Sequence, residues 1–184
     1  MKLLFIGDIV GEPGRRAVKV LLPVLKTRHS IDVVIANGEN SAGGNGITAP
    51  LAAELFEAGI DVITLGDHVW DQRETGALLA KQPHLIRPLN YPSGVPGAGS
   101  VVFQKGHLPP VAVLNLQGRT FMPVLENPFP AALAEVERLR IQTPLILVDF
   151  HAEATSEKIA MGRFLDGRAT LVVGTHTHVQ TADE

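Results

Sequence analysis

Five short apolar runs each end in residues able to hold a metal ion. Leu3–Ile6 leads into Gly7-Asp8 and Val33–Ala36 into Asn37-Gly38-Glu39-Asn40, while Val62–Leu65 leads into Gly66-Asp67-His68. Leu145–Val148 leads into Asp149-Phe150-His151, and Leu171–Val173 into Gly174-Thr175-His176-Thr177-His178. Four of the seven histidines fall at these positions. Oxygen and imidazole donors without sulfur suit manganese, iron or zinc. Asp8, Glu39, Asp67, His151, His176 and His178 together exceed what one ion usually takes from protein. Two ions bridged by a shared carboxylate would use them economically.

Taken singly, most of these residues have a plainer explanation. Asp8 or Asp67 can cap a following helix, Glu39 can belong to a polar turn, and His151 can be a half-buried histidine with a partner. The pair His176 and His178 is harder to explain that way. Alternate residues of a strand share a face, so both imidazoles are expected to point the same way at the end of an apolar run. The joint pattern over five strand ends then favours the metal reading for the others.

The elements that must position these groups alternate in kind. Val-, Ile- and Leu-rich runs of this length read as fully buried strands. Between them, Arg15–Arg28 reads as a helix with Val18, Leu21, Leu22 and Leu25 on one face, kinked or broken by Pro23. Thr48 can cap a helix over Ala49–Ala58 that stops at Gly59, and Pro130–Arg140 reads as another, with Leu133, Val136 and Leu139 aligned. Alternation of this kind implies an α/β fold with parallel strands, whose ligands bind beyond the carboxyl ends of the strands. From Leu85 to Leu125, the strand candidates Val101–Gln104 and Val111–Leu116 lie among Pro- and Gly-rich turns and suggest antiparallel hairpins on the same core. No boundary divides the chain, so residues 1–184 are read as one domain.

Composition bounds the function. The 184 residues carry a net charge of −3, which argues against non-specific nucleic-acid binding because that requires a basic face. There is no cysteine, hence no disulfide, thiolate catalysis or zinc–sulfur site. Met1–Ile6 is too short for a signal peptide, and no stretch approaches the roughly 20 apolar residues of a membrane span. A cytoplasmic protein is expected, with homo-oligomerisation credible through the Pro-rich middle. Neither a phosphate-binding P-loop nor a nucleophile elbow is present. Arg119 is a candidate substrate-phosphate contact. Arg15 and Arg16 read as surface residues, Trp70 and Phe164 as core or pocket wall, and His29, His84 and His107 receive no role.

Read together, these blocks resemble a calcineurin-type metallophosphoesterase. More narrowly, Gly7–Gly11, Asn37–Asn40, His68–Asp71, Asp149–Lys158 and Gly174–Asp183 resemble its YmdB-like branch along the whole chain. The resemblance implies a four-layer α/β/β/α sandwich with mixed sheets and hydrolysis of phosphodiesters, notably 2′,3′-cyclic nucleotides such as 2′,3′-cyclic AMP. It implies two metal ions, iron foremost, with manganese or zinc as alternatives. Asp8, Glu39, Asn40 and His178 would hold one ion; Glu39 would bridge to the second, completed by Asp67, His151 and His176. A hydroxide activated between the ions would attack phosphorus, and His68, its pKa lowered by the cations, would be the general acid.

Three departures stand out. The superfamily's first-strand Asp-x-His reads Asp8-Ile9-Val10, with Asn40 filling the gap. The branch's usual Asn is Asp67, whose added charge should tighten metal binding and make a bridging water less acidic. Family members also continue for further strands beyond Glu184. A nucleotide-binding regulatory protein with little turnover, a structural metal protein, and a phosphomonoesterase or nucleotidase stay open as alternatives.

Overall fold

The apolar runs form strands and the stretches between them form helices. In chain order these are β1 (Leu3–Ile6), α1 (Gly11–His29), β2 (Val33–Asn37), α2 (Ala49–Glu57), β3 (Val62–Thr64), a 3-10 turn over Asp67–Trp70, α3 (Thr75–Lys81) and β4 (Leu85–Ile86). The second half contributes β5 (Ser100–Phe103), β6 (Val111–Gln117), α4 (Pro128–Arg140), β7 (Ile146–Ala152), α5 (Thr155–Phe164) and β8 (Leu171–His176). The computed structural model describes residues 1–181; Ala182 and Asp183, the end of the Gly174–Asp183 block, lie outside the described residues.

The strands make two four-stranded sheets, ordered β1-β2-β3-β4 and β5-β6-β7-β8. The first is parallel throughout. The second is mixed, because β5 runs antiparallel to β6 while β6, β7 and β8 are parallel. Side-chain alternation along each strand sorts the core into three apolar layers. Val34, Ala36 and Ile63 pack under Val18 and Leu22 of α1, Leu55 of α2 and Leu79 of α3. Leu114, Leu116, Val148 and Phe150 pack under Ala132, Val136 and Leu139 of α4 and Met161 of α5. The intervening positions, Val33, Ile35 and Val62 on one sheet and Val111, Val113 and Leu147 on the other, meet between the sheets. This is the α/β/β/α sandwich. Strands covered on both faces explain the unbroken apolar runs, and each wholly buried Leu or Ile contributes roughly 1.5–3 kcal/mol.

Helix boundaries differ from the expectation where single residues decide them. Helix α1 starts at Gly11 and runs on through Pro23, and Thr27 donates its hydroxyl to the Pro23 carbonyl at 3.0 Å. Leu21 faces solvent rather than the core. Thr48 holds the cap position of α2, but its side chain makes no capping bond. Helix α4 begins two residues earlier than expected, because Asn127 accepts the Phe129 N–H at 3.1 Å. Helices α3 and α5 are not legible in the sequence: each buries few apolar side chains, α5 only Met161. No helix of the described residues is long and apolar enough to cross a membrane.

Candidate metal centre

At the end of β1 the chain turns, and Ile9 donates its N–H to the Asn37 carbonyl of β2 at 3.0 Å. Asp8 is not a helix cap, since α1 is preceded by Val10 and has no side-chain cap. Its carboxylate turns inward instead. Oδ2 accepts the His176 N–H at 3.0 Å, and Oδ1 lies 3.4 Å from Asn40 Nδ2 and 3.5 Å from His178 Nε2.

The turn after β2 is tight. A Cβ on Gly38 would lie 2.7 Å from Ile63 Cγ2, so glycine is required for β2 and β3 to approach there. Asn37 Oδ1 accepts the Glu39 N–H at 3.1 Å and so aims Glu39 into the interior, where it is wholly buried. Glu39 Oε1 lies 2.8 Å from His151 Nε2 and 3.3 Å from Asn40 Nδ2. Asn40 Nδ2 in turn sits 3.2 Å from His178 Nε2. A half-turn of the Asn40 amide exchanges its oxygen and nitrogen, placing an oxygen donor among Asp8, Glu39 and His178.

Asp67 opens the 3-10 turn after β3, and its Oδ1 lies 3.0 Å from His151 Nε2 and 3.3 Å from His176 Nδ1. The two histidine nitrogens are themselves 3.1 Å apart. Glu39, Asp67, His151 and His176 thus bring one donor atom each to within 4.8 Å of one another. Asp8 Oδ1, Asn40 Nδ2 and His178 Nε2 lie 3.2–3.5 Å from one another, and Asn40 links them to Glu39 Oε1. All seven expected ligands come together in two adjoining groups, with Glu39 common to both.

His176 and His178 do not lie on one strand. Strand β8 ends at His176, and His176 and His178 have φ of 98° and 55°. The pair therefore does not share a face by strand alternation. Left-handed backbone, unusual for residues other than glycine, divides the two rings between the two groups of donors.

Glu39, Asp67, His151 and His176 fit a metal ion on their own geometry. The outer nitrogens of the two imidazoles are engaged, leaving the inner ones for the centre, as metal-binding histidines require. His151 Nδ1 lies 2.9 Å from Thr175 Oγ1, which donates to Asp149 Oδ1 at 2.7 Å. His176 Nε2 lies 3.0 Å from Glu153 Oε2. Gly66 closes over the centre so tightly that an added Cβ would collide with the His151 ring and Glu39 Oε2.

The charges are strongly coupled. Burial opposes a charge on His151, yet its bonds to Asp67 and Glu39 win and push its pKa up to about 10, since hydrogen bonds to the charged form favour it. A proton there supplies the positive charge that the surrounding carboxylates demand. Asp67 is likewise held below the usual carboxylate range: burial works against this, but hydrogen bonds from His151 and His176 prevail. Asp149, wholly buried, is pushed up to about 6 by desolvation, tempered by the charge of His151 and by bonds from Thr64 and Thr175.

His68 stands at the rim. Its N–H donates to Glu39 Oε2 at 3.2 Å, and its ring Nδ1 lies 2.7 Å from Asp71 Oδ2. Burial lowers its pKa, but Asp71, Asp67 and Glu39 outweigh that and raise it. Within the chain itself the shift is thus opposite to the lowering expected from cations. Arg119 is not brought into the cluster. Its backbone N–H is held by Glu157 at 3.0 Å, and its guanidinium has no polar partner among the described residues. Arg15 is not a free surface residue: its guanidinium pairs with Glu54 at 3.1 Å and reaches the Ser41 carbonyl, tying α1 to α2 and to the turn after Asn40.

Sequence reasoning missed the supporting residues. Asp149 accepts bonds from Asn37 of β2 at 3.1 Å, Thr64 of β3 and Thr175 of β8, so one buried carboxylate joins the two sheets beneath the centre. Asn115, in register with Asp149, accepts the Leu65 N–H at 3.1 Å. A charged residue inside an apolar run was the available signal, because a buried charge persists only with partners. Nothing comparable marked Glu153.

A family model described as YmdB-like protein matches residues 4–184. The chain is 50% identical to a 2′,3′-cyclic-nucleotide 2′-phosphodiesterase of Bacillus subtilis (strain 168), over 100% of this chain and 69% of that protein. A crystal structure of a hypothetical protein from Thermus thermophilus superposes with a TM-score of 0.92 at 46% identity, over 100% of this chain and 70% of that one. A crystal structure of a novel phosphatase from Mycoplasma pneumoniae superposes with a TM-score of 0.91 at 38% identity, over 100% of this chain and 66% of that one. The chain thus spans roughly two thirds of the length of these proteins. With the match running from the first strand to the last histidines, the chain belongs to the YmdB-like protein family.

Proposed function

We propose that this chain is a metal-dependent phosphodiesterase acting on small phosphodiesters, 2′,3′-cyclic nucleotides above all. The observation that carries the reading is the position of Glu39 Oε1, 2.8 Å from His151 and 3.3 Å from Asn40, between the two groups of donors. Asp8, Glu39, Asn40 and His178 would hold one ion, and Glu39, Asp67, His151 and His176 would hold the other; the donor set suits iron, with manganese or zinc as alternatives. A bound cation pair supplies Lewis acidity toward phosphate oxygens and makes water more acidic.

The remaining chemistry belongs to side chains. His68 holds a proton for the leaving ribose oxygen, while Asp71 fixes the ring by accepting at Nδ1 and leaves Nε2 for the substrate. Asp71, Asp67 and Glu39 raise the His68 pKa and bound cations lower it; the opposing influences keep the imidazole able both to carry a proton and to release it. A five-membered cyclic phosphate is a favourable substrate because its ring strain is relieved on opening. The same 50% identical relative supports this choice of diester. A cytoplasmic location and self-association complete the reading.

Elemental analysis of the purified protein, followed by assays of 2′,3′-cyclic AMP and AMP on the same sample, tests it. Two metal equivalents with cleavage of the cyclic diester are expected. Release of phosphate from AMP alone makes the protein a monoesterase, and binding without product makes it a sensor.

A further inference from the structure

The segment from Gly118 to Asn127 leaves the end of β6 beside the metal centre, since Gln117 is in register with His151. It is held at both ends by Asn90, which accepts the Gln117 N–H at 2.9 Å and donates to the Glu126 carbonyl at 3.0 Å. Glu157 accepts the successive N–H groups of Arg119 and Thr120 at 3.0 and 3.1 Å. A turn then closes from Met122 N–H to the Arg119 carbonyl at 3.4 Å. The Met122 side chain is buried, with its sulfur 3.3 Å from the N–H of Glu153, the residue whose carboxylate meets His176.

Phe121 is the third residue of that turn, with φ of 62°. Turn chemistry places glycine or asparagine at such a position, because a Cβ is disfavoured in left-handed backbone. The ring is also 88% exposed, so packing against the chain does not repay its placement. A loop fixed by Asn90, Glu157 and Met122 therefore displays a bare aromatic side chain one residue from Met122, which packs against the backbone of Glu153, the partner of His176. Residues held in sparsely populated backbone regions cluster at ligand-binding sites, and an aromatic face is sequence-tolerant stacking ground for nucleobases.

Resting on the cyclic-nucleotide reading above, we propose that Phe121 is the platform on which the substrate base stacks, which makes the site selective for nucleotides over simple cyclic phosphates. Steady-state kinetics of the metal-loaded full chain would compare 2′,3′-cyclic AMP with ribose 2′,3′-cyclic phosphate lacking a base. In Phe121→Ala, the kcat/KM ratio of the two substrates should fall by about 5- to 100-fold through KM of the nucleotide, the range that base stacking covers, and Phe121→Trp should restore it. Phe121→Gly should lose the same selectivity while melting no lower than the wild type, because glycine relieves the turn. The tryptophan emission added by Phe121→Trp should be quenched by 3′-AMP and not by ribose phosphate.

An unchanged ratio in Phe121→Ala, or an equal loss for both substrates, overturns the proposal while leaving the phosphodiesterase reading intact. A wild type that cleaves neither compound overturns both. A wild type that cleaves both compounds equally well overturns the selectivity claim alone.

Discussion

Glu153 Oε2 lies 3.0 Å from Nε2 of His176, across the ring from the Nδ1 that faces Asp67 and His151. The carboxylate thereby sets which nitrogen carries the proton and which is offered to a cation. Replacing Glu153 by Ala should weaken metal affinity by about 10- to 100-fold, while Glu153→Gln, which keeps an acceptor oxygen, should lose less. Competition with a chelator on the purified variants measures this. Equal affinity in wild type and Glu153→Ala would remove the carboxylate from the account.

Replacing His68 by Ala should lower kcat by about 10²- to 10⁴-fold with metal content unchanged, because its ring Nδ1 contacts Asp71 rather than the donor cluster. Loss of metal in that variant would make His68 a ligand instead. Since Asp71 raises the His68 pKa, Asp71→Asn lowers it. The protonated acid then disappears at lower pH, so the alkaline limb of the kcat–pH profile should move toward acid. A limb that stays in place would show that another group sets it.

Metal uptake should release protons. The pKa of His151 is pushed up to about 10, chiefly against burial and by Asp67 and Glu39, so the ring is protonated near neutral pH in the metal-free chain. A raised pKa means that the proton competes below about 10, so apparent affinity should rise by about tenfold per pH unit for each proton displaced. Calorimetry in buffers of different ionisation heat counts those protons. A count of zero at pH 7 would mean that His151 is already neutral.

How much of this was legible beforehand follows from the reach of each interaction. Strand positions could be read because strands covered on both faces are apolar at every position, a property of neighbouring residues alone. The candidate ligands stood out because donors that singly have plainer roles recur together at five strand ends. The α/β class and the family resemblance came from the same residues. Helix α5 was hidden because it buries little, and the starts of α1 and α4 turned on local backbone and the Asn127 cap.

Residue order alone determined the donor types, the absence of cysteine and the strands that carry them. Only the tertiary structure brought Glu39, Asp67, His151 and His176 within 4.8 Å of one another. His176 and His178 diverge through left-handed backbone that alternation does not anticipate. Asp149 joins β2, β3 and β8 through partners as distant as Asn37, and Glu153 reaches His176 across the end of a sheet. Such pairings form between residues that the packing of two sheets brings together, and separation along the chain does not encode that proximity.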